Sequence, residues 1–114
     1  MSDSAEDPIE WIQTDKFVMP VIPGELHVDP RTLAILHCVS FLELSGDDTV
    51  DPDWAVEAME HVAHYLQRLS HDDVSRMNTD MEAIASWAEA KQMPAHFIDL
   101  ARRFTEYAGL EPEE

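Results

Sequence analysis

The side chains best spaced for chemistry are Glu57, Glu60, His61 and His64. Glu57 and His61 are four residues apart, as are Glu60 and His64, and the two histidines are three apart. On a helix such spacings share one face. Two imidazoles and a carboxylate so placed form a donor set for a divalent metal. His71 follows seven residues after His64 and could extend the set. Di-iron bundles use Glu-x-x-His pairs from two helices. That pairing is missing, because Glu57 is followed three residues later by Glu60, and the next helical stretch offers Asp80 and Glu82. The plainer reading is a solvated helix face with local Glu–His pairs. No cofactor is expected, and His61 and His64 stand as a metal-binding alternative.

Two other groupings invite chemistry and fall short of it. The loop acids Asp47, Asp48, Asp51 and Asp53 lack the spacing, the central glycine and the closing glutamate of an EF-hand. Helix capping and solvation account for them. His37 and Cys38 are neighbours, but adjacent helical residues point about 100° apart and do not face each other. Cys38 is expected to be a small buried apolar group. His37 is expected to be a hydrogen-bonded core or boundary residue, with a ligand pocket edged by His37, Ser40 and Glu43 as the alternative. There is no phosphate-binding glycine loop, nucleophile elbow, Cys-x-x-Cys or His-Glu-x-x-His. No catalytic role is assigned, and the chain is not expected to be an enzyme.

Charge narrows the choice of partner. The 114 residues carry 24 acids against seven Lys and Arg, a formal charge of −17. Nucleic acid and anionic membranes both require a basic surface, so neither is expected as a partner. Three readings of the acidity remain: a solubilising surface, adaptation to high salt, or a face directed at a basic protein. Lysine is scarce, with only Lys16 and Lys91, which suits the second. The preferred function is non-enzymatic binding of a basic protein, in the manner of inhibitors, immunity proteins or regulators. Asp47, Asp48, Asp53, Glu57 and Glu60 are the expected contacts. The alternatives are a metal- or small-ligand-binding bundle using the His61/His64 face or the His37 strip, and a homodimer that exchanges an apolar arm spanning Phe17 to Ile22. One cysteine excludes an internal disulfide and suggests a reducing, cytoplasmic setting. The first residues lack the basic and apolar regions of a secretory signal.

Behind these residues the pattern predicts an all-α fold, roughly a four-helix bundle around a central helix, with an extended N-terminal arm. Residues 9–110 are expected to form one helical domain, with an arm at 9–28 and a bundle at 29–110. Residues 1–8 read as a disordered acidic tail and 111–114 as a frayed one. The central helix is Pro30 to Leu44, with Asp29 as its cap and Pro30 at its first position. It is apolar almost all round and is therefore expected to be buried. Gly46 is the expected C-cap of this helix. In the arm, Ile9 to Ile12 read as an anchoring turn, and Pro20 and Pro23 enforce extended chain. A second helix is expected from Pro52 to about Leu69 and a third after Ser70, whose pairing with Asp73 reads as a capping box. A fourth starts at Pro94 and ends at Gly109. The methionines at 59, 77, 81 and 93 read as core filler, and Trp54 and Trp87 as covers over the bundle edge.

Overall fold

The structure is a computed structural model that describes residues 9–14 and 17–110. The tails expected at 1–8 and 111–114 lie outside the described residues.

The arm is a hairpin rather than a single extended strand. Strands β1 (Trp11–Thr14) and β2 (Phe17–Pro20) pair antiparallel, with Ile12 opposite Met19 and Trp11 opposite Pro20. Pro20 has no N–H to give, and the ladder resumes where the Val21 N–H donates to the Glu10 carbonyl at 2.8 Å. The pleat sends Phe17 and Met19 inward, where both are buried, and Val18 outward. A single 3-10 turn, Gly24–Leu26, leads to the helices.

The rest is helical: α1 (Pro30–Leu44), α2 (Pro52–Leu66), α3 (His71–Ala90), α4 (Ala95–Arg102) and the short α5 (Phe104–Tyr107). The starts follow the expected local chemistry. The Asp29 carboxylate accepts from the Arg31 N–H at 2.8 Å, and Asp51 accepts from the Asp53 N–H at 2.9 Å. Ser70 Oγ accepts from the Asp73 N–H at 3.1 Å. Three ends differ from expectation. Helix α2 stops at Leu66, with a turn through Gln67 to Leu69. The fourth helix breaks at Arg103, whose φ of −108° and ψ of 18° leave helical geometry. Gly46 is not the C-cap of α1: Ser45 holds that place in extended conformation, and the Gly46 carbonyl instead accepts from Thr49 and Val50.

Helix α1 is not wrapped on all sides. Its fully buried positions are Thr32, Leu36, Val39 and Ser40, while Ala34 and Cys38 are exposed. Cys38 is therefore a surface thiol, contrary to expectation. The molecule is only 21 Å thick along its short axis, about two helix diameters. A helix in such a slab has one open side, and α1 turns its two smallest apolar residues there. The most buried helix is α3, through Val74, Met77, Met81, Ile84, Ala85, Trp87 and Ala88. Its most extensive helix contact is with α4. Alanines at 85, 88 and 101 are 0% exposed and let these two axes approach closely. Outside the seam, Arg102 reaches Glu82 at 3.1 Å and Glu89 at 3.4 Å. Inside, Thr105 Oγ1 donates to Asn78 Oδ1 at 3.0 Å and ties α5 to α3. All four methionines named above are buried, and Trp87 lies in the core.

Two local features give testable consequences. Helix α3 closes where the Met93 N–H donates to the Ala88 carbonyl at 2.9 Å, which puts Gln92 at φ 60°. That left-handed position favours glycine. Gln92→Gly should raise stability by about 0.5–1 kcal/mol, read as a higher urea midpoint. At the start of α1, the Arg31 side chain and then its backbone N–H hydrogen-bond the Asp29 carboxylate and hold its pKa down from 3.8 to about 2. A carboxyl depressed by folding stabilises above its ordinary pKa, and that contribution is lost as pH falls from 3.8 through about 2. Asp29→Asn should remove this part of the acid limb, measured as denaturation midpoint against pH.

Candidate functional site

The acidic residues singled out from the sequence lie in the turn before α2 and along α2. Asp47 and Asp48 sit in the turn between α1 and α2, and Asp53, Glu57 and Glu60 project from α2. All five are exposed. Positions 53, 57 and 60 run i, i+4, i+7, so they form one row on the side of α2 opposite Ala55, Met59 and Leu66. Among the described residues, three arginines pair with other acids. Arg31 pairs with Asp29 at 2.8 Å, Arg102 with Glu82 and Glu89, and Arg103 with Glu106 at 3.2 Å and Asp99 at 3.8 Å. These hydrogen bonds hold Glu82 below the usual carboxylate range and raise all three arginines. Arg68 lies over the Tyr65 ring at 4.9 Å. Among the described residues, no cation pairs with Asp47, Asp53, Glu57 or Glu60.

Beside the acid row stands a second feature that the sequence reading missed. Trp54 is 74% exposed and Tyr65 is 62% exposed. With His61 they follow the spacing i, i+7, i+11 and share one flank of α2. Trp54 thus covers no bundle edge, contrary to expectation. Its position beside the inner stripe was legible, but what lies over it depends on where the other helices pack.

His61 and His64 are both exposed, and His64 meets Tyr65 edge-on at 5.4 Å. Among the described residues, no three His, Cys, Asp or Glu side chains are grouped to hold a metal ion. None of the described clefts is lined by His37, Ser40 and Glu43 together. His37 packs edge-on against Phe17 at 5.8 Å, Ser40 is fully buried, and Glu43 accepts a hydrogen bond from Tyr107.

No known protein family, characterised protein or solved structure matches this chain.

Two clefts adjoin each other on the face opened by the hairpin. The first, about 360 Å³, lies between the hairpin, the end of α1 and the start of α4. Trp11, Phe17, Met19 and Phe97 give it apolar walls, and Asp48, Thr49 and His96 give it a polar rim. Ser45 also lines it, and the Ser45 hydroxyl is buried without a hydrogen-bond partner. The second, about 340 Å³, shares Leu44 and His96 and runs along α4 to Tyr107. Partial burial, and then the hydrogen bond to Glu43, push the Tyr107 phenol up to about 12. Such a phenol stays protonated near neutrality and is no general base. The arginine beside it, Arg103, is already paired. In the first cleft the Thr49 hydroxyl donates to the Asp48 carboxylate at 3.5 Å. No described helix is long and apolar enough to cross a membrane.

Proposed function

We infer that the protein binds a basic protein partner without catalysing a reaction, through the α2 face and the turn before it. The observation that carries this reading is the segregation of charge. Acids at 53, 57 and 60 form a row with no cation among them, while the arginines at 31, 102 and 103 are each tied to other carboxylates. An exposed tryptophan beside the row supplies what charge alone lacks. Aromatic residues enriched at interfaces contribute affinity, and the surrounding charges contribute orientation and rate.

The test is a paired affinity capture from extracts of the source cells, using the native protein and the triple variant Asp53→Lys, Glu57→Lys, Glu60→Lys. A basic protein retained by the first and lost by the second supports the reading. Identical retained sets would end it. The same preparation, analysed by native mass spectrometry without a metal-affinity tag or chelator, reports whether any metal accompanies the chain.

A further inference from the structure

We propose that the occupant of this face is an amphipathic basic helix of the partner, laid along an open seam of α2. This rests on the binding reading above and names the shape of the partner. The seam is Trp54, Ala58, His61 and Tyr65. Their spacings of four, three and four are those of a coiled-coil seam, and at about 100° per residue the four fall within about 60° of one another around the helix. The strip runs between the inner stripe of Ala55, Met59 and Leu66 and the row of Asp53, Glu57 and Glu60. Trp54, His61 and Tyr65 are exposed, and Ala58 is half-buried between the first two. A small residue between large rings leaves room for a side chain of a second helix. Charge selects that helix. Glu57 borders the seam, with Asp53 and Glu60 behind it, and no cation among the described residues pairs with them. Lysine or arginine flanking the apolar stripe of an incoming helix would meet these carboxylates. A second copy of this chain would set the acid row against its own like. An extended strand presents side chains at a period of two and does not match the seam. From Trp54 to Tyr65 the seam is about 16 Å long, or three helical turns. Arg68 lies over the Tyr65 ring at 4.9 Å and marks its far end, so the basic residues of the occupant belong over the Trp54 half.

The probe is a blocked peptide of about 18 residues, with leucine at coiled-coil spacing and lysine or arginine at the flanking positions. Two controls accompany it: the same composition shuffled so that the leucines share no face, and the same leucine stripe flanked by glutamate. Each is titrated into the isotope-labelled full chain at about 0.15 M salt, where charges are screened beyond about 8 Å, and followed by two-dimensional NMR. The basic helix should shift the Trp54 indole N–H and the amides of Ala58 and His61. It should bind at least about tenfold more tightly than either control, and Trp54→Ala should weaken it by a similar factor. Equal affinity for the basic and shuffled peptides, no binding, or shifts that bypass Trp54 would overturn the seam. Trp54 resonances that move on diluting the chain alone would overturn it too, because the occupant would then be a second copy. The capture experiment reports on the function separately. A basic protein lost on lysine reversal, with peptides that do not discriminate, ends the helix and keeps the basic partner. Partners retained after reversal, with a basic peptide that still seats on Trp54, end the function proposed above and keep the seam.

Discussion

Phe104→Ala should lower the unfolding free energy by about 3–5 kcal/mol, the usual loss for emptying a fully buried aromatic position. Phe104 is 0% exposed and is the bulkiest of the fully buried side chains. It opens α5, directly after the break at Arg103. That break redirects the chain, and Phe104 and Thr105 behind it are both buried. The seam of α3 and α4 is built from alanines at 85, 88 and 101, which have little volume with which to close a void. A single domain has only about 5–15 kcal/mol in all, so the variant should be close to unfolding at physiological temperature. Urea denaturation followed by circular dichroism measures this, with an unchanged slope marking a simple loss of stability. A change below about 1 kcal/mol would mean that α5 does not hold Phe104 in the core, and the helix break would lose its structural reason.

The sequence was legible wherever a local rule acts within a few residues. Asp29 before Pro30, Asp51 before Pro52, Ser70 before Asp73 and Gly109 at φ 76° mark helix ends by chemistry that no distant contact has to supply. The methionine core positions followed from helical period, since Met77 and Met81 fall on the stripe that α3 turns inward. Where the fold depends on tertiary placement, the pattern misled. In α1, polar Thr32 and Ser40 point in while apolar Ala34 and Cys38 point out. Small side chains count as apolar in a pattern yet lose little by facing water, so the helix read as buried all round. The hairpin escaped because two strands of four residues show too little alternation to be told from extended chain. Gln92 gave no sign of its left-handed turn, for a glycine would be the ordinary signal there.

The candidate surface divides along the same line. The acids at 47, 48, 53, 57 and 60 were legible because charge and helical spacing are properties of the sequence. The exposure of Trp54 and the cleft beside Trp11 were not. The first is decided by what fails to pack on one flank of α2. The second needs the hairpin docked beside the start of α4, which brings residues 11, 48 and 96 together from three separate segments.

Reversing the acid row should slow association with a basic partner far more than it affects folding. Electrostatic steering raises on-rates by about 10–10³ when a charged face meets its complement. Asp53→Lys, Glu57→Lys and Glu60→Lys together change the local charge by six, so the on-rate should fall at least about tenfold at low salt. The dissociation rate should change much less, because rim charges act mainly before contact. Trp54→Ala should show the opposite split, with faster dissociation and a nearly native on-rate. Raising salt from 0.1 M to 1 M shortens the screening length from about 10 Å to about 3 Å, and the difference between native and reversed proteins should shrink with it. Stability should hold or rise in the reversed protein, because three mutually repelling carboxylates are removed from a chain of net charge −17. Salt adaptation makes a different forecast from the same charge: the native fold would need molar salt, and on-rates would be indifferent to the reversal. Stopped-flow association at several salt concentrations therefore separates a face that recognises a partner from one that only keeps the protein in solution. An on-rate unchanged by the triple reversal at low salt would remove the acidic face from the account of function.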